Sequence, residues 1–152
     1  MDKEQKNMLI AALDECGECT VRVEGTSMWP FIRSGDRVVL HRSRNVPPQN
    51  GAVIGFFIDN QLVIHRIAAR RRLRDGQWRL VVLGDSMPGS RSEIEAGVVA
   101  GVVSKVMRNG KTSSFWVSRP FGVAALWIGK GIRAANAAKR AVERMRGTKA
   151  AS

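Results

Sequence analysis

Three residues in this chain carry the types and the order that hydrolytic chemistry needs: Ser27, His65 and Asp85. Ser27 lies in Gly25-Thr26-Ser27-Met28-Trp29-Pro30, after the β-like run Thr20-Val21-Arg22-Val23. A hydroxyl held where strand gives way to irregular backbone is presented rather than buried in a ladder. Pro30 stiffens the segment and drives Trp29 away from helical geometry. His65 lies in Leu62-Val63-Ile64-His65-Arg66-Ile67, where strand alternation puts it on one face with Val63 and Ile67. Apolar neighbours favour a neutral imidazole, the form a base needs. Asp85 lies in the turn-like Leu83-Gly84-Asp85-Ser86. Nucleophile, base and orienter in this order make a workable triad, since triads recur in several chain orders. Each residue also has an ordinary reading, respectively a turn serine, a core histidine and a capping aspartate; only the combination points to chemistry.

Residues 23–36, with Ser27-Met28, Pro30 and the closing Gly35-Asp36, together with residues 62–67 and Gly84-Asp85, resemble the boxes of the type I signal peptidases and their relatives, the self-cleaving repressor peptidases. The resemblance covers roughly residues 20–105. It implies a serine endopeptidase that cleaves an extended peptide after small side chains. Bacterial signal peptidases carry lysine at the general-base position, so His65 places the likeness in the histidine branch. By the same resemblance, Gly25 stands two places before the nucleophile, where many members use a serine hydroxyl for the oxyanion. Gly25 and Thr26 then border the oxyanion side, the Ser27 N–H is the first donor, and Met28, Trp29 and Phe31 are candidate walls of the substrate pocket. The implied substrate is a peptide or protein, and no cofactor is implied.

These residues need a rigid frame. The 152 residues suffice for one modest core. Residues 3–15 fit a short amphipathic helix, with Leu9, Ala12 and Leu13 on one stripe. Short β-branched runs follow near 20–24, 36–41, 52–58, 61–69, 78–83, 98–107 and 113–117. Hairpin chemistry separates three pairs of them, at Asp59-Asn60, Asp75-Gly76 and Asn109-Gly110. The expected class is mainly β, a compact curled antiparallel fold with a short N-terminal helix and a longer basic C-terminal helix. The expected division is a helix over 1–18, a β-rich peptidase domain over 19–118, and a basic amphipathic helix and tail over 119–152.

Charge and cysteine usage narrow the partners. The net charge of +12 is concentrated late: residues 101–152 hold eleven Lys and Arg against Glu143, net +10, and the first hundred are net +2. Val123, Leu126, Trp127, Ala134 and Met145 follow one face of the late helical pattern, with Arg133, Arg140 and Arg144 on another. An anionic membrane surface is the expected partner of that helix, in peripheral association with the cytoplasmic membrane. Neither a secretory signal nor an apolar run long enough to span a bilayer is visible. No helix-turn-helix or aromatic-studded sheet points to specific nucleic-acid recognition. Cys16 and Cys19 are the only cysteines, which excludes a disulfide framework, and with two histidines no metal centre is expected.

Two rival readings use the same residues. One is a peptidase fold kept as a binding or regulatory module with weak or lost catalysis. The other is self-processing at Cys16-Gly17, a bond of the kind the repressor-type peptidases cut, ten residues before Ser27.

Overall fold

The computed structural model describes residues 2–43, 47–86, 90–114 and 117. The expected C-terminal helix over 119–152 lies outside these residues. Helix α1 (Lys3–Cys16) begins at a reciprocal cap: Asp2 accepts from the Gln5 N–H at 2.7 Å, and the Gln5 side chain accepts from the Asp2 N–H at 3.2 Å. It ends at Gly17, whose φ of 76° turns the chain left-handed and lets its N–H close on the Leu13 carbonyl. Between the caps, Leu9 and Leu13 point into the core, the stripe that the periodicity predicts. Burying each contributes on the order of 1.5–3 kcal/mol, which docks a helix too short to be stable alone.

Eight strands follow: β1 (Glu18–Arg22), β2 (Arg37–His41), β3 (Val53–Ile58), β4 (Gln61–Arg72), β5 (Trp78–Leu83), β6 (Arg91–Glu95), β7 (Val99–Arg108) and β8 (Lys111–Ser113). They form one antiparallel sheet in the order β1-β2-β7-β3-β4-β5-β6, with β8 added to β7. Asp59-Asn60 and Asn109-Gly110 sit at positive φ in the β3–β4 and β7–β8 turns, as two-residue hairpins require. Register shifts in β2–β7, β3–β7 and β4–β5 curl the sheet. The strand expected at 113–117 is instead β8, which ends at Ser113. Strand β6 was not foreseen.

Strand β4 parts two cores. Leu62 and Ile64 pack with Leu9, Leu13, Val23, Met28, Ile32, Leu40 and Val53. Val63 and Ile67 pack on the other side with Ile54, Phe56, Leu80, Val82 and Val99. His65 pairs with Ile54, and its ring meets Phe56 edge-on with centroids 6.0 Å apart, so it shares the Val63 and Ile67 face as the alternation requires. No helix among the described residues is long and apolar enough to cross a membrane.

Candidate active site

The loop between β1 and β2 carries Ser27, and its stem is closed by two backbone bonds, Val23 N–H to Asp36 O at 2.8 Å and Gly35 N–H to Val23 O at 2.9 Å. Asp36 does more than make a turn. Its carboxylate is buried, accepts the Arg33 N–H at 2.8 Å and takes both prongs of Arg108 at 2.8 and 2.7 Å. Desolvation pushes this carboxyl up, but the hydrogen bonds and charges of Arg108 and Arg33 outweigh it and hold the pKa below its usual value. Arg108 also donates to the Phe31 carbonyl at 3.0 Å. Met28 and Ile32, 2% and 1% exposed, anchor the loop in the core. Ser27 is therefore carried half-buried on a short turn pinned on both sides. Gly25, at φ 86°, takes a backbone conformation that a side chain would strain. None of the hydrogen bonds of this turn among the described residues uses the Ser27 N–H.

Ser27 lies directly over Gly84. A β-carbon built on Gly84 would stand 2.6 Å from the Ser27 carbonyl oxygen and 3.1 Å from the Ser27 Cβ. Strands β4 and β5 pair Ile67 with Val82 and Arg66 with Leu83, so Gly84 follows the end of β5, one step past the partner of the residue next to His65. Ser27 thus fills the side-chain space that Gly84 leaves empty. His65 is half-buried. Desolvation lowers its pKa below the 6.5 of a free imidazole, and the nearby charge of Asp85 offsets only part of that.

Asp85 is close enough to act on His65 by charge, but the expected orienting hydrogen bond is absent. Both Asp85 oxygens are taken by Arg66, Nε to Oδ1 at 2.9 Å and NH2 to Oδ2 at 2.8 Å, with the two side chains 3% and 0% exposed. A buried guanidinium must find a carboxylate, and this two-pronged pairing outcompetes a single bond to a neutral imidazole. The buried Nδ1 of His65 consequently has no hydrogen-bond partner among the described residues. Arg66 also donates to the Gly51 carbonyl at 2.9 Å. Sequence reasoning passed over Arg66, although a charge inside the run Val63–Ile67 signals a paired one.

Ser86 is the second residue that sequence reasoning left without a role. Its N–H and Oγ donate to the Ser27 carbonyl at 2.9 and 3.1 Å, and its Oγ also lies 2.7 Å from the Thr26 carbonyl. The turn Gly84-Asp85-Ser86 is thus locked beneath by Arg66 and grips the Ser27 loop above. Thr26 contributes its backbone to this grip, and the residue itself is exposed.

A cavity of about 730 Å³ opens beside Ser27. Its walls include Gly25, Val23, Met28, Leu62, Ile64 and, from α1, Leu9. Met28 is one of the walls. Trp29 and Phe31 are not: Trp29 is 55% exposed, and Phe31 lies outside the lining, on the side of the loop held by Arg108. The cavity runs between two strand edges that are unpaired among the described residues. β1 is the outermost strand of the sheet, and β4 pairs with β5 only from Arg66 onward, so residues 61–65 have one unpaired edge.

The other candidates lie elsewhere. His41 is half exposed and meets Glu18 at 3.1 Å. Cys16 and Cys19 are free thiols at the α1–β1 junction. The Cys16-Gly17 bond is locked at the helix end by Gly17 N–H to Leu13 O and by Arg42 N–H to Gly17 O at 2.8 Å.

Among curated proteins, none matches the chain. The family described as Peptidase S24-like matches residues 4–103, two-thirds of the chain and all of the loop, strand and turn just described. With that match and its mainly antiparallel β-sheet preceded by one short helix, this chain belongs to the Peptidase S24-like family.

Proposed function

We propose that the chain is a serine endopeptidase that works through Ser27 and His65 on an extended peptide, in the manner of the signal peptidases. The observation that supports the reading is the seat of Ser27 over Gly84, just past the β5 end whose Leu83 pairs with Arg66, the neighbour of His65. In this reading Ser27 Oγ attacks the scissile carbonyl and its proton passes to His65. The tetrahedral oxyanion is met by the Ser27 N–H. Collapse breaks the C–N bond, the leaving amine takes the proton from His65, and an acyl ester remains on Ser27. Water, deprotonated by His65, then releases the acid and returns the serine. The lowered pKa of His65 keeps it neutral at pH 7, so no proton must first be removed. Asp85 acts by charge alone, stabilising the imidazolium across the site while Arg66 holds it.

The two unpaired edges at β1 and residues 61–65 suit a substrate that adds as a strand. The apolar walls at Met28, Leu62 and Ile64 suit small, uncharged side chains near the cut. The test is turnover of a peptide carrying an Ala-x-Ala site by wild type, Ser27→Ala and His65→Ala. The reading requires cleavage by wild type and at least a thousandfold loss in each folded variant. Cleavage by Ser27→Ala at the wild-type rate would refute it.

Self-processing at Cys16-Gly17 is disfavoured, because cleavage there requires an extended strand and the bond sits in a closed helix cap. Peripheral docking of the C-terminal segment to an anionic membrane belongs to the same proposal, supported by the +10 charge of residues 101–152. Vesicle co-sedimentation tests it: binding to anionic lipid that is lost at high salt and on truncation after Pro120 is required.

A further inference from the structure

Helix α1 does not only cap the sheet. Its core stripe runs Leu13, Leu9, then Gln5, one turn apart on one face. Leu13 is wholly buried, Leu9 is 7% exposed, and Gln5 overhangs the cavity beside Ser27, which both Gln5 and Leu9 line. The same end of the helix is tied to the far tip of the β3–β4 hairpin. Lys6 Nζ donates to Asn60 Oδ1 at 3.2 Å and stands 5.0 Å over the Phe57 ring. The helix therefore crosses the cavity where β4 begins, at Gln61. From Gln61 to His65 is four strand residues, roughly 13 Å.

The chemistry of Gln5 is asymmetric. Its Oε1 is committed to the Asp2 N–H in the helix cap, which fixes which end of the amide faces away. The Nε2 amide makes no hydrogen bond among the described residues, leaving two N–H donors at the cavity. Beside it, Leu9 offers an apolar floor, and the unpaired edge at Gln61 and Leu62 offers backbone groups.

We infer that Gln5 and Leu9 form a distal subsite for an extended peptide: an apolar side chain about four residues from the scissile bond rests on Leu9, and a backbone carbonyl there accepts from Gln5 Nε2. This rests on the peptide-cleaving reading above. Helix α1 then sets which substrates are gripped along their length, and Ser27 acts only on the near end. The subsite adds affinity for peptides long enough to reach it and none for shorter ones.

The test uses the non-cleaving Ser27→Ala protein and fluorescent peptides, with binding read by anisotropy. The peptides share an Ala-x-Ala site and are extended by four residues at one end or the other, closing on Leu or on Asp. Extension closing on Leu should tighten binding several-fold at one of the two ends, and the Asp version should not. Gln5→Glu keeps the oxygen that caps the helix and deletes the donors, so melting should be unchanged. It should weaken the extended peptide by roughly two- to tenfold and leave the short one alone. Equal binding of short and extended peptides, or of Gln5→Glu and its parent, overturns the subsite. Wild type is run with the same peptides for cleavage. Cleavage with kcat/KM independent of extension sinks the subsite and spares the peptidase reading. Gln5-dependent binding with no cleavage sinks the peptidase reading and spares the subsite.

Discussion

Ser27 takes the place of a side chain that Gly84 does not have. With 3.1 Å between the Ser27 Cβ and a β-carbon on Gly84, and 2.6 Å to the Ser27 carbonyl, any larger residue at 84 must displace the loop itself. The atoms in the way are backbone, which cannot swing aside as a flexible side chain would. Gly84→Ala should therefore lower stability by about 1–3 kcal/mol, as overpacking does. It should also cost about a hundredfold in turnover of a small-residue peptide, because the nucleophile moves by the order of 1 Å. Chemical denaturation and peptide kinetics on the one variant check both effects, and normal activity would mean that Ser27 does not act from this seat.

Arg66 and Asp85 stand or fall together. Removing one partner leaves the other charge buried, at a cost of about 3–5 kcal/mol, whereas replacing both by apolar groups avoids that cost. Arg66→Met and Asp85→Asn should each unfold at markedly lower urea, and the double variant Arg66→Met/Asp85→Leu should recover most of the loss. A double variant as unstable as the singles would show that the pair is not a closed unit.

The pH dependence has two separate windows. The folded-state pKa of His65 lies below its unfolded value, so the unfolded chain binds more protons and stability falls as pH drops below about 6.5. Asp36 is also depressed, so its stabilising bonds to Arg108 are intact above about 3.8 and lost as pH falls through the folded pKa. Melting temperature followed from pH 8 to pH 3 should decline in two steps. His65→Gln should remove the upper step and leave the lower one. Turnover should rise with pH along a limb at or below 6.5; a limb above pH 8 would exclude His65 as the base.

The Cys16-Gly17 bond should stay whole. Held in the helix cap, it cannot enter its own cleft, and the intact mass should persist after long incubation of the wild type at neutral pH. Appearance of a fragment beginning at Gly17, absent from Ser27→Ala, would restore the self-processing reading.

Periodicity and turn chemistry made much of this fold readable. Leu9 and Leu13 announced α1, and Asp59-Asn60 and Asn109-Gly110 announced two hairpins, because both signals are local. Strand β6 escaped because Arg91-Ser92-Glu93-Ile94-Glu95 is an edge strand with one half-buried apolar side chain. Ser27 and His65 could be named from their surroundings along the chain, but the seat of Ser27 depends on Gly84, a contact between distant segments. Asp85 was assigned to His65 because sequence shows a carboxylate near a base without showing its rival partner. The rival, Arg66, is next to His65 in sequence but points to the opposite face of β4, where the carboxylate meets it. Trp29 and Phe31 misled for a similar reason. Being next to Ser27 in sequence does not put a side chain in its cavity, and of the three neighbours Met28, Trp29 and Phe31 the turn directs Met28 there.

The central claim is that Ser27 becomes acylated, and the acyl group can be caught. Wild-type protein turning over an Ala-x-Ala peptide is quenched in acid, digested and examined by mass spectrometry. The account predicts the amino-terminal half of the substrate, joined through its carboxyl, on the peptide that contains Ser27, and no adduct in Ser27→Ala or His65→Ala. Turnover with no adduct at Ser27, or with the adduct on another residue, would contradict it.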